Sequence, residues 1–270
     1  MHALLPIKTL ANAKQRLASL LSASEREALV LAMAADLLSQ LGHHPMIEQI
    51  TVICEDPAVV KLARQSGCDV VDEASLLSTA DTGDRLNRVL NRSVAKLAAR
   101  GVAKVLVLHG DLPLLQQADL SALLRRHQLL EPSAVTLCPD RHGTGTNALV
   151  CRPSSAIEFR FGSDSLARHL MAADAAGLDS QIFNATGFAH DIDLPDDIEL
   201  LCSYVSDDNL GCTGHLIRSW QLHQRLQLAS VDVGQVELRY QHKMAQYKIP
   251  QNDIQAPAMA LKNDGKLYVH

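Results

Sequence analysis

The stretch AVTLCPDRHGTGTNALVCRP, residues 134–153, puts two Gly-Thr pairs and an Asn between two short apolar runs. Glycine lets a backbone approach an anion closely and threonine adds a hydroxyl donor, so the middle of the stretch has the composition of a phosphate-cradling loop. The flanks decide its setting. AVTLCP and ALVCRP are both short, apolar and partly β-branched, so the order is strand, loop, strand. A dinucleotide fingerprint or a P-loop requires a helix after its glycines, and the Lys-Ser/Thr ending of a P-loop is missing too.

Upstream, a different rhythm runs from the first residues. ALLPIK is followed by SASEREALVLAMAADLLSQL, where Ser22 and Glu25 have capping-box spacing and the apolar residues then recur at helical period. ITVICE with PAVVKLARQSG, CDVVDE with GDRLNRVLNRSVAKLAARG, and KVLVLHGD with DLSALLRRHQLL repeat the pattern of apolar strand and amphipathic helix. This alternation predicts an α/β fold, a largely parallel sheet covered by helices on both faces, with ligands beyond the carboxyl ends of the strands. Downstream of the Gly-Thr loop follow a helix in SDSLARHLMAADAAG, a strand at GFAH and a helix in DDIELLCSYV, so the body is expected to span residues 1–206. Residues 207–270 then form a C-terminal α+β extension, with a helix in GHLIRSWQLHQRLQL, an alternating strand in VDVGQVELRY and a hairpin in AMALKNDGKLYV.

The totals narrow the function. A chain of 270 residues that is 47% hydrophobic and 20% charged can bury one sizeable core. Its formal charge of -5 offers no general attraction for polyanions, so nucleic acid is not an expected partner and a phosphate ligand must be held by a few placed cations. Cys54, Cys68, Cys138, Cys151, Cys202 and Cys212 include no C-x-x-C pair and read as reduced thiols. The start MHALLPIKTL lacks the features of a signal peptide and no apolar run approaches membrane-spanning length, so a cytoplasmic protein with no membrane partner is expected.

Two sets of residues can carry chemistry. Lys8, Lys14 and Arg16 fall in one loop after the first strand, where they read either as a solvated loop or as the cations that neutralise a triphosphate. Asp111 ends KVLVLHGD, and Asp191 and Asp193 follow GFAH. Each alone reads equally well as a turn or cap aspartate, but at i and i+2 of an extended segment the latter two can share a hard cation. Three strand-end carboxylates with a Lys-rich loop suit magnesium-assisted nucleotidyl transfer.

Segments LPIKTLANAKQRLASLLSASEREAL, LNRVL, GDLPLL, PDRHGTGTNALVCRP, FRFGSDSLARHL and DIDLPDD, in this order over roughly residues 3–200, resemble the guanylyltransferases of coenzyme F420 biosynthesis. That group contains 2-phospho-L-lactate guanylyltransferase and its phosphoenolpyruvate and 3-phosphoglycerate relatives. The resemblance implies a Rossmann-like, GT-A-like nucleotidyltransferase fold with a mixed, mostly parallel sheet. It also implies GTP as co-substrate, Mg²⁺ as cofactor and a phosphorylated three-carbon acid as acceptor. It carries over Thr146, Gly162 and Ser165 as acceptor contacts, Asp111, Asp191 and Asp193 as metal ligands, and Asn87 as a nucleotide contact. Two departures stand out: His109-Gly110 replaces the usual Pro-Ala, and Arg85-Leu86-Asn87 the usual Gly-Leu-Asn.

On this reading Thr144, Gly145, Thr146 and Asn147, with Gly162 and Ser165, hold the acceptor, while Lys8, Lys14 and Arg16 serve the GTP. The acceptor phosphate attacks the α-phosphorus of GTP and pyrophosphate leaves. His142 and His169 read as structural or orienting. The alternatives are another nucleotidyltransferase of this fold, using CTP or a sugar phosphate, and a non-catalytic nucleotide-binding regulator. Leu216, Trp220, Leu222 and Leu226 form an apolar strip if their segment is one helix, and covering that strip by self-association leads to the expectation of a homodimer.

Overall fold

The computed structural model of the protein describes residues 1–78, 81, 83–130, 132–205 and 211–227. The expected runs VDVGQVELRY and AMALKNDGKLYV lie outside the described residues. The chain divides into two units, Met1–Leu226 and Gln227–His270.

The first unit is built on β1 (His2–Pro6), β2 (Gln49–Ile53), β3 (Asp69–Val71), β4 (Val105–Leu108), β5 (Ala134–Pro139), β6 (Thr146–Arg152) and β7 (Asp179–Ile182). They form one sheet in the order β3-β2-β1-β4-β6-β5-β7. β1 pairs in parallel with β2 and β4, β2 with β3 and β5 with β7, while β6 runs antiparallel to both β4 and β5. The strand–loop–strand reading of residues 134–153 is the β5–β6 hairpin, whose second strand, β6, runs opposite to the other six strands of the sheet.

The helices are α1 (Ala23–Gly42), α2 (Pro57–Gln65), α3 (Arg85–Ala99), α4 (Gln117–Gln128), α5 (Ser165–Ala175), α6 (Thr186–Ala189), α7 (Pro195–Tyr204) and α8 (Cys212–Ser219). Successive strand side chains point to opposite faces, and two cores result. Leu5, Leu106 and Val150 join α1, α2, α4 and α7 on one face. Leu4, Val107 and Leu149 join α3 and α5 on the other. The Ser22–Glu25 capping box opens α1, with the Glu25 amide donating to Ser22 Oγ at 3.3 Å and the Ser22 amide to Glu25 Oε2 at 2.8 Å.

Four expectations are corrected. GFAH is helical, forming most of α6, so Asp191 and Asp193 lie in an irregular loop rather than along a strand. GHLIRSWQLHQRLQL is not one helix: α8 ends at Ser219 and Gln221 takes a left-handed conformation at φ 52. Asp36 of α1 accepts from the Cys212 and Thr213 amides at 2.6 and 2.8 Å, and Arg225 pairs with Glu25 at 2.7 Å. Leu222, with Ile217, is buried in the core of the first unit, Trp220 and Leu226 pack against it and Leu216 is half-buried, so the apolar strip is largely covered within the chain and no longer argues for a homodimer. These contacts carry the unit to Leu226, where the sequence suggested an end at residue 206.

Among the described residues all six cysteines are free, and no helix is long and apolar enough to cross a membrane.

Candidate active site

The strand order reverses beside β1, whose neighbours β2 and β4 follow from opposite sides, and a crevice beyond the carboxyl ends is the expected ligand site at such a point. Lys14 comes from the loop after β1 and Asp111 from the loop after β4. Lys14 Nζ lies 2.5 Å from Asp111 Oδ2 and 2.8 Å from Asp193 Oδ1. The lysine backbone is left-handed at φ 49, ψ 44, a region unfavourable for any residue with a side chain, so this loop stores strain to aim the ammonium.

Burial alone would lower the Lys14 pKa, yet it stands above its usual value because the carboxylates of Asp111 and Asp193 favour the charged form. Burial would raise Asp111, but Lys14 holds it below the ordinary carboxylate range. Asp191 differs. Burial first and the neighbouring Asp111 charge second push its pKa up.

The irregular loop carrying Asp191 and Asp193 is pinned from three sides. The Ile192 amide donates to Asp111 O at 3.3 Å, Asn147 Nδ2 donates to Asp191 Oδ1 at 3.0 Å, and Asp197 Oδ2 accepts the Asp193 and Leu194 amides at 2.8 and 2.7 Å. Asp197 Oδ1 in turn pairs with Arg141 of the β5–β6 loop at 2.6 Å. Sequence reasoning assigned nothing to Asp197 or Arg141; the one available signal was the carboxylate's place in the first turn of α7.

Because β6 is antiparallel to β4, its first residues lie level with the end of β4, and the His109 amide donates to Asn147 O at 3.0 Å. The hairpin therefore delivers Thr146 and Asn147 to the edge where Lys14 and Asp111 meet. Asp140 shapes the turn by accepting the Thr144 amide at 2.9 Å, and a Cβ at Gly145 would come within 2.9 Å of Asp140 Oδ2, so a side chain there would have to displace that carboxylate. Thr144 is exposed, and its carbonyl accepts the Leu166 amide at 3.1 Å. The Thr146 amide donates to Ser165 Oγ at 2.8 Å, joining the hairpin to the loop before α5. That loop contains Gly162 at φ 110 and Asp164 at φ 52. Arg168 Nη2 donates to Ser163 O, and the Arg168 Nε is buried without a partner among the described residues.

Asn87 has a different setting from the expected one. Its Nδ2 donates to Phe161 O at 2.9 Å and its Oδ1 accepts the Phe161 amide at 2.7 Å, while Asn91 treats Phe159 in the same way at 3.1 and 2.8 Å. The carboxamide of Asn87 is thus committed to holding the segment before the Gly162 loop. Phe161 stands edge-on to His109 and His169, at 5.1 and 4.9 Å between ring centroids. Burial lowers both imidazoles, His169 to about 4, so both are neutral near pH 7.

Lys8 and Arg16 are exposed on the β1 loop. Lys14, assigned from the sequence to the triphosphate, bridges two carboxylates that supply the counter-charges a shielded cation needs. Among the described residues no three His, Cys, Asp or Glu side chains close around one point as a preformed metal cage. The donor chemistry nevertheless suits a hard divalent cation. Asp111 Oδ1 is buried with no hydrogen-bond partner, and Asp191 is destabilised by the Asp111 charge, two costs that a cation between them would relieve.

Comparison with known proteins identifies a family. The model of the family described as guanylyl transferase CofC like matches residues 1–209. A phosphoenolpyruvate guanylyltransferase of Conexibacter woesei is 39% identical over 204 residues, covering 76% of this chain and 88% of the relative. One from Sphaerobacter thermophilus is 33% identical over 203 residues, covering 75% and 93%. Among solved structures, one described as a nucleotide-diphospho-sugar transferase from Desulfovibrio desulfuricans superposes with a TM-score of 0.66 at 15% identity, covering 83% of this chain and 97% of that one. A cytidylyltransferase from Leptospira borgpetersenii gives 0.51 at 13% identity, covering 83% and 95%. At such identities the structures speak for the fold alone, which is that of the nucleotidyltransferases.

Proposed function

The chain belongs to the CofC-like guanylyl transferases, and from that premise we propose that it transfers GMP from GTP to the phosphate of a small phosphorylated three-carbon acid, releasing pyrophosphate, in the cytoplasmic biosynthesis of coenzyme F420. Guanylyl transfer follows from the family. For the acceptor, phosphoenolpyruvate takes precedence over 2-phospho-L-lactate and 3-phosphoglycerate, since the relatives that match across most of their length carry that name. The observation that carries the reading is the junction at Thr146 and Asn147: one bonds to the Ser165 loop and the other to Asp191, so an anion on the hydroxyl-bearing loops adjoins the carboxylate cluster.

Lys8 and Arg16 are the exposed cations that meet the triphosphate, with arginine able to bind it bidentately. Thr146, Gly162 and Ser165 receive the acceptor, aided by the backbone around Thr144 and Gly145. Asp111, Asp191 and Asp193 would hold Mg²⁺, which when bound supplies charge neutralisation at the transferring phosphoryl group. Lys14 keeps Asp111 and Asp193 together in the absence of the cation and shares their charge in its presence. A phosphate monoester, with a second pKa of about 6, is already an anionic nucleophile near pH 7, so the chemistry needs no general base. Neutral, enclosed His109 and His169 are consistent with that. Rate enhancement then comes from alignment and fixed charge.

The test is pyrophosphate release from each of the four ribonucleoside triphosphates with each of the three acceptors, the products being identified by mass. GTP with phosphoenolpyruvate is expected to give the guanylylated acid in a reaction that requires Mg²⁺ or Mn²⁺. Turnover of CTP with a sugar phosphate instead would replace this reading with its main rival.

A further inference from the structure

The hydrogen bonds around His169 have only one consistent direction. The Arg160 backbone amide, which can only donate, lies 2.9 Å from His169 Nε2. Nε2 therefore carries the lone pair, and in the neutral ring the proton sits on Nδ1. Nδ1 is 3.1 Å from Thr146 Oγ1, so the ring donates and the threonine accepts. Ser165 Oγ likewise accepts the Thr146 amide at 2.8 Å. Both hydroxyls thus have an oxygen lone pair engaged and a hydrogen for which the described residues provide no acceptor. Thr146, Ser165 and His169 are 3%, 1% and 0% exposed, so bulk water is a poor substitute. Turning the ring by about 180° would set a C–H against the Arg160 amide and leave that donor without its acceptor, so the hydrogen bonds themselves select this orientation.

We propose that His169 is a positioning residue for the acceptor: fixed as the Nδ1–H tautomer by the Arg160 amide, it makes Thr146, together with Ser165, a pair of hydroxyl donors that takes an oxyanion of the substrate and disfavours any group that must itself donate there. This rests on the reading that the hairpin and the Gly162–Ser165 loop hold the acceptor, and it adds how their polarity is set. The ligand class is a carboxylate or phosphate oxygen. A substrate that places a donor-only group there, such as an ammonium, is disfavoured by the same arrangement.

Two measurements test it. In full-length protein with ¹⁵N-labelled imidazoles, the His169 signals, assigned by their loss in His169→Gln, are expected to show a protonated Nδ1 and an unprotonated Nε2 at neutral pH. A ring protonated on Nε2, or on both nitrogens, overturns the proposal whether or not the protein has the proposed activity. In kinetics with GTP and phosphoenolpyruvate, His169→Leu is expected to raise the acceptor KM by about tenfold, the loss of roughly one charge-assisted bond, with the GTP KM unchanged. His169→Gln, which can still accept at one end and donate at the other, is expected to restore most of it. In a Thr146→Val background His169→Leu should add nothing further, because its effect passes through that hydroxyl. Equal changes in both KM values, or additive effects of the two substitutions, overturn the proposal. If His169→Leu does not fold, the Gln variant and the tautomer decide. Wild-type protein that turns over no acceptor would sink the functional reading while leaving the tautomer result to decide the polarity of Thr146.

Discussion

Lys14, Asp111, Asp191 and Asp193 form an arrangement whose members are not equally content. Lys14 stabilises Asp111 and Asp193 directly, whereas Asp191 has the Asn147 amide and no cation, and burial together with Asp111 raises its pKa. A carboxyl whose folded pKa lies above its unfolded value lowers stability fully above the folded pKa, and the penalty disappears as pH falls below the unfolded value. Asp191→Asn, which keeps an oxygen for Asn147, is therefore expected to raise the Tm of the metal-free protein at pH 7, with about 2–4 °C for each kcal/mol in a chain of this size. The gain should shrink toward pH 4. Mg²⁺ should raise the wild-type Tm more than that of the variant, and guanylyl transfer should fall by orders of magnitude. Calorimetry at the two pH values with a turnover assay checks all of these. A variant less stable than wild type at pH 7 would show that Asp191 is not the strained member. This trade of stability against activity is expected where like charges are held together for function.

At the scale of elements, α3 spends two side chains on a segment far away in sequence. Asn87 and Asn91, one turn apart, each donate to and accept from the backbone of Phe161 and Phe159, supplying the partners that a neighbouring strand would have given. Asn91→Ala leaves a backbone amide and a carbonyl without those partners, and the expected cost is about 1–3 kcal/mol in urea unfolding. Because Phe159 leads into the Gly162–Ser165 loop, the acceptor KM should rise more than the GTP KM. A cost below about 0.5 kcal/mol, typical of surface substitutions, would mean the pair is dispensable.

The same element marks what the sequence could reveal. The Ser22–Glu25 box was legible because both partners lie within one turn, and the β–α alternation because its period is local. The Gly-Thr hairpin was legible from its flanks, and Asp111 from its place just after β4, whereas Asp193 was singled out for a strand end that is a helical turn followed by an irregular loop. The asparagine clamp was not, since its partners lie 68 and 74 positions away and an asparagine carries no mark of what it will bind. Nor was the bridging role of Lys14: a lysine beside a Lys-rich loop reads as a free cation until the fold brings two carboxylates to it. GFAH was misread because four residues are too few to separate a strand from a single helical turn.

For the whole molecule, the question is how much chain the nucleotidyltransferase body needs. The family match ends at residue 209, yet residues 211–227 are fastened to α1 at both ends, by Asp36 on the Cys212 and Thr213 amides and by Glu25 on Arg225. Between these fastenings Ile217 and Leu222 are 5% and 0% exposed. Cutting the chain after residue 206 strips that cover from α1 and uncovers two buried aliphatic contacts, each worth about 1.5–3 kcal/mol, in a fold whose total stability is of order 5–15 kcal/mol. That truncation is expected to lower the Tm by several degrees or leave the protein insoluble. A truncation after residue 227, at the boundary between the two units, should keep the Tm and guanylyl transfer of the full chain. Since the strip is covered within one chain, the shorter truncation should also keep whatever assembly state the full protein has in light scattering. If cutting after residue 206 leaves Tm and solubility unchanged, the segment covering α1 contributes nothing to the body; if cutting after residue 227 removes activity, the second unit has a part in the reaction that the site described above does not contain.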